Sequence, residues 1–206
     1  MDLFHTLALA VGAAWLSGVR LYALVSILGL LGKFGGLQLP GELAALTNPW
    51  VIGVASTMFV IEFVADKVPA IDSVWDVVHT FIRIPAGAVL AAGAFGDYDP
   101  TIKVIAALIG GTLAFGSHAT KTTTRAAVNT SPEPVSNLVV STTEDVYAVG
   151  STFAAAFAPV LILIIVGIGI LIALFMLPRI YKFIKKKVAA RSARHAASGP
   201  PPSPLR

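Results

Sequence analysis

From Val146 to Pro178 the chain carries no charged side chain, and the cluster Arg179, Lys182, Lys185, Lys186 and Lys187 follows at once. About 20 helical residues cross the hydrocarbon core of a bilayer, so this run is long enough to span it. A soluble core of this size would still need a polar coat around it. The basic cluster behind the run predicts that the C-terminal end faces the cytoplasm, where Lys and Arg accumulate. The feature therefore fixes the solvent before it fixes the fold.

Composition extends the argument to the whole chain. Of 206 residues, 56% are apolar and 13% charged, against about 25% charged in an average soluble domain. Residues 179–206 hold eight basic side chains and no acid, so residues 1–178 carry −4 of the overall +4. The basic character belongs to a tail, which suits anionic lipid headgroups and gives no reason to expect nucleic acid as a partner. Cysteine is absent, which removes disulfides, thiolate metal sites and cysteine nucleophiles. The first residues, Met1 to His5, contain an acid and no Lys or Arg, unlike the start of a signal peptide. The apolar pattern from residue 6 to residue 32 reads as a first spanning helix, interrupted only by Arg20.

Further segments are read at 50–64, 71–95, 101–121 and 147–177. Turn signals separate them: Gly35-Gly36 with Pro40, Val68-Pro69, Gly96-Asp97-Tyr98-Asp99-Pro100, and Ser131-Pro132-Glu133-Pro134. Pro85 is expected to divide the third segment and Pro159 to bend the fifth. Residues 135–148 are too polar for a lipid-facing span and too apolar for a free loop. The expected fold is all-α and polytopic, with about five spans and room for broken or re-entrant helices. Residues 1–178 form the membrane domain, and 179–206 a disordered basic tail. With five crossings the N-terminus lies outside. Gly/Ala faces at 86–94 and 106–116 invite close helix contacts, and homo-oligomers are expected.

Ionisable residues inside these segments carry the chemistry. Asp72, Asp76, His79 and Arg83 recur at intervals of four, three and four, which places them on one helical stripe. Two placements fit: an interfacial helix with its charges in water, or a stripe facing a wet cavity in the bundle. His118, Lys121 and Arg125 form a second, cationic stripe, with Thr120, Thr122, Thr123 and Thr124 beside it. That set suits an anion or an ordinary basic helix end. Glu62 and Asp66 lie one turn apart, and Glu144-Asp145 precede the charge-free run. Arg20 is the most constrained, because a charge at the bilayer centre costs about 2.5–3.5 kcal/mol on insertion scales. It needs water or a carboxylate partner such as Glu62, Asp66 or Asp145.

No Walker loop, His-Glu-x-x-His or Gly-x-Ser-x-Gly motif is present. No cofactor is implied, and a His79–His118 metal pair has no diagnostic spacing. The leading expectation is a small transporter or channel with an intramembrane polar site for an anionic or proton-coupled solute. Its site is Arg20, Glu62, Asp66, Asp76, His79, Arg83, His118, Lys121, Arg125, Glu144 and Asp145. The alternative is a non-catalytic accessory or assembly subunit whose charges pair with a partner. An enzyme using His79 or His118 as acid or base is a third reading.

Gly18-Val19-Arg20-Leu21-Tyr22, the run from Glu62 to Pro69, and Gly116 to Lys121 followed by Asn129 to Pro134 together resemble a family of bacterial membrane proteins defined by a domain of unknown function. The resemblance covers about residues 6–178. It implies a small helical protein of the bacterial inner membrane and supplies no activity or site residue.

Overall fold

The computed structural model describes residues 2–128 and 134–197. Six α-helices and one short 3-10 helix follow one another without a strand among the described residues. They are α1 (Leu3–Phe34), the 3-10 helix (Gly41–Thr47), α2 (Pro49–Ala65), α3 (Pro69–Gly93), α4 (Pro100–Val128), α5 (Pro134–Phe157) and α6 (Pro159–Ala197). Proline opens every helix from α2 onward, where its missing N–H costs nothing and its fixed φ suits the first turn. Asn48 caps α2 by accepting from Trp50 N at 2.9 Å. Asp99 caps α4 by accepting from Thr101 N at 2.8 Å, and the Thr101 hydrogen bonds hold its carboxyl below the usual carboxylate range. Four helices are long and apolar enough to cross a membrane, or five if the 3-10 helix and α2, bent by 73°, count as one span. The chain is an all-α, polytopic, multi-pass protein.

Three boundaries differ from expectation. α3 runs unbroken through Pro85. The ambiguous residues 135–148 are the first half of α5, and the charge-free run is split at Ala158, where Pro159 starts a new helix. α6 then continues to Ala197, past Ala189, where composition predicts an unfolded tail. Lys, Arg and Ala are good helix formers and prolong the turn begun in the apolar run. Residues 198–206 of that tail lie outside the described residues.

α3 and α4 form a long antiparallel pair that frames the molecule. They meet through small residues at one end: a Cβ on Gly110 would press on Ala91 and the Gly87 carbonyl. α1 packs across both, and it is interrupted at Arg20, whose φ −149° and ψ 73° are not helical. On the first arm, Ser17 donates to the Arg83 carbonyl at 3.2 Å, Gly87 abuts Ala14 and Ser17, and Leu7 shares a crevice with Phe95. This arm runs antiparallel to α3. On the second arm, Tyr22 reaches His79, Val25 shares a crevice with Leu90, and Gly29 abuts Leu46, one turn from the Leu43 that packs on Gly93. This arm runs parallel to α3. A straight helix would separate Leu7 from Gly29 by roughly 33 Å, yet both lie near the α3–α4 turn. α1 therefore doubles back at Arg20, and Arg20 sits at the tip. α2 lies along the second arm, with Ser56 2.7 Å from Ser26, and ends beside that tip. α5 passes the tip and reaches Gly12, where α6 turns back: a Cβ on Gly12 would press on Ala155 and Ile162, and one on Gly169 on Trp15.

Candidate functional site

The end of α2, the first turns of α3, the last turns of α4 and the first half of α5 converge on Arg20. The α3 stripe faces inward. Asp72 and Arg83 are fully buried and Asp76 and His79 nearly so, while Val74, Val77, Val78 and Phe81 are exposed. The helix is polar inside and apolar outside, which excludes the reading with its charges in surface water. In lipid this is the sense a bundle requires, because an isolated charge in hydrocarbon is expensive.

Arg20 is completely buried among four carboxylates. Nη1 pairs with Asp66 Oδ2 and lies 3.7 Å from Glu62 Oε1. Nη2 lies 2.8 Å from Asp145 Oδ1 and 3.9 Å from Glu144 Oε2. Arg83 joins α3 to α2, with Nη2 on Glu62 Oε1 and Nη1 2.9 Å from Asp76 Oδ1. Lys121 Nζ is 3.2 Å from Asp76 Oδ1 and within 4 Å of Glu62 and Asp66. Arg125 closes the far end. Its Nη2 is 2.9 Å from Glu144 Oε2 and 3.4 Å from Asp66 Oδ2, and its Nη1 is 3.5 Å from Asp72 Oδ2. Nη1 also donates to Asn137 Oδ1 at 2.8 Å.

Nine of the eleven expected site residues thus share one ion-pair network, and the two histidines flank it. His118 Nε2 is 2.7 Å from Thr80 Oγ1. That hydroxyl donates to the Asp76 carbonyl at 2.9 Å, so it accepts from Nε2. Nδ1 is then left to accept from Arg83 Nη1 at 3.3 Å, and it also faces the Gly18 carbonyl at 3.2 Å. A second proton on His118 would exchange the Arg83 contact for the Gly18 one. His79 lies one contact further out, stacked on Trp75 at 4.3 Å and 3.1 Å from the Tyr22 hydroxyl.

Sequence reasoning missed Lys67, 3.0 Å from Asp145 Oδ2, together with Asn137 and Ser141. It placed Asp72 on the stripe without counting it in the site. Asn137, Ser141 and Asp145 are spaced four apart on α5, and that periodicity was the available signal. Lys67 carried none, since it sits in the link between two helices.

Among the described residues the network holds five cations, Arg20, Lys67, Arg83, Lys121 and Arg125, against six carboxylates, Glu62, Asp66, Asp72, Asp76, Glu144 and Asp145. Glu62 Oε2 and Asp66 Oδ1 accept no hydrogen bond among the described residues. The neighbouring hydroxyls are committed as donors to helix carbonyls: Thr120 to Gly116, Thr122 to His118, Thr123 to Ala119 and Thr124 to Thr120. They present lone pairs, not protons. No three His, Asp or Glu side chains among the described residues converge as a metal ion would need.

The glycines that permit this convergence are specific. A Cβ on Gly18 would overlap Ser117 Oγ and the Ala114 carbonyl, whereas one on Gly116 would meet nothing within 4 Å. The close approach of α1 to α4 therefore depends on Gly18, and not on the Gly116 that the sequence brings to notice.

Residues 7–179 match the family described as a domain of unknown function, DUF4126. The chain belongs to that family. No curated protein and no solved structure matches it.

Proposed function

We propose that this chain is a small transporter of the bacterial inner membrane, with its C-terminus in the cytoplasm, whose buried charge network loads and releases a proton as solute passes. The observation that carries the reading is the arithmetic of the network: among the described residues six carboxylates face five cations around a broken helix. Each buried ion costs several kcal/mol of desolvation that only its partners offset. Among the described residues the carboxylates outnumber the cations by one, and a proton is the smallest species that cancels the difference.

The same geometry favours a proton over an anion. Every cation is already held by a carboxylate, and the threonine hydroxyls donate elsewhere. The accessory-subunit reading draws on intramembrane charges left for a partner, and here they pair within the chain.

The test is flux in proteoliposomes loaded with a pH-sensitive dye, under an inward proton gradient, with a panel of small organic cations and anions outside. Solute-dependent acidification by the wild type, lost in Asp66→Asn, is the expected result. Vesicles that stay tight to protons with every solute would remove the transport reading.

A further inference from the structure

The charge network is not sealed on all sides. A cavity of about 580 Å³ lies between α1, α4, α5 and α6, within the roughly 300–1,000 Å³ range of small-molecule sites. Its lining is graded. At the end toward α4's last turns it is bounded by Thr120, Lys121, Thr124, Thr143 and Glu144. Toward the α5–α6 turn it is bounded by Trp15, Ile165, Ile168 and Gly169. Its outer wall is open where Ile168 and Ile172 are exposed, on a face that in a bilayer meets hydrocarbon.

The polar end has a definite chemistry. Thr120 and Thr124 spend their protons on α4 carbonyls, and Thr143 donates to Val139 O at 2.8 Å. All three present only lone pairs to the cavity. Lys121 is turned to Asp76 at 3.2 Å. Glu144 is the most exposed of the six network carboxylates, at 15% of its side chain against 10% or less for the rest. The end is therefore acceptor-rich and borders a network that, among the described residues, holds one more carboxylate than cations. An ammonium head finds several acceptors there, and the one cationic side chain on this wall, Lys121, is already paired with Asp76.

We propose that this cavity binds a hydrocarbon-chain amphiphile with a hydrogen-bond-donating, cationic head, an alkyl ammonium, taken in sideways from the bilayer. The head rests against Glu144 and the threonine oxygens, and the chain lies along Ile165 and Ile168. This names the substrate class of the transporter read above and rests on that reading for its role, though not for binding. A proton and an ammonium head would compete for the same surplus negative charge, which is the physical requirement for exchange of one against the other.

The experiment uses the full chain in phosphatidylcholine vesicles and a diazirine-bearing long-chain amine, with a fatty acid of equal length and the same label as comparison. Saturable photo-crosslinking to α5 and α6 by the amine is expected, about tenfold above the fatty acid, as one charge-assisted contact would give. Ile168→Trp, which fills the cavity away from the network, should abolish it. Ile164→Trp, on an exposed residue outside the cavity wall, should leave it unchanged. Glu144→Gln should weaken it about tenfold. Equal labelling by the two probes, or labelling indifferent to Ile168→Trp, would overturn the proposal. So would labelling by either probe that never saturates, which marks bulk lipid. Because binding is read without flux, a failure here leaves the proton-flux test standing, and the reverse also holds.

Discussion

The two halves of the α3–α4 pair are built from the same helices and solve opposite problems. Near the turn at 94–99 the contacts are small and dry: Gly87, Ala91 and Gly110 let the backbones approach until a single Cβ would not fit. Further along, one to four turns away, the same two helices present Asp72, Asp76, Arg83, Lys121 and Arg125 to each other. Dispersion between close backbones holds the first half together, as in other membrane helix pairs. Mutual neutralisation holds the second. Because the dry half is rigid and continuous with the charged half, it fixes the register in which the charges meet. The tip of α1, with Arg20, is inserted where the two regimes change over.

That contrast can be broken in graded ways. The largest effect is all-or-none and concerns the tip. Single cysteines at Leu3 and at Leu37 should react with an impermeant thiol reagent from the same side of the membrane, since both arms of α1 return toward the α3–α4 turn. Labelling from opposite sides would mean that α1 crosses straight through. Next is Arg20→Leu, which leaves four carboxylates, three of them buried, without their shared cation. A loss of about 3–5 kcal/mol is expected for a buried pair with one partner removed, read as the melting temperature in detergent. A change within error would place Arg20 outside the network. A smaller loss of about 1–3 kcal/mol, the usual range for overpacking, is expected for Gly18→Val at the α1–α4 contact. Gly116→Ala should be neutral or stabilising by up to about 1 kcal/mol, since nothing lies near its Cβ position. If the two glycine variants behaved alike, the close approach would lie elsewhere.

Much of this was legible in the sequence for physical reasons. The intervals of the 72–83 and 118–125 stripes fixed which residues share a face, and Pro49, Pro69 and Pro100 marked where three of the helices begin. The cost of a charge in hydrocarbon singled out Arg20 and named Glu62, Asp66 and Asp145 as its partners, and all three lie within 4 Å. The doubling-back of α1 was not legible. No proline marks Arg20, and the apolar pattern continues through it, because both arms are buried in the same kind of surroundings. The polarity of 135–148 read as ambiguous for a related reason: Asn137, Ser141 and Asp145 are satisfied by Asp66, Lys67 and Arg20 far back in the chain and by Arg125 on the preceding helix, which a local reading does not reach. The threonines after His118 looked like anion ligands by type, and only their hydrogen-bond directions show that their protons are spent.

The central claim is that the surplus carboxylate holds a proton inside the bundle at neutral pH. Infrared spectroscopy of the protein in lipid reads this directly, through the carbonyl stretch that a carboxyl group shows only when protonated. One such band should persist at pH 7 in the wild type and be lost when a single network carboxylate is replaced by its amide. A spectrum with no protonated carboxyl at that pH would contradict the account.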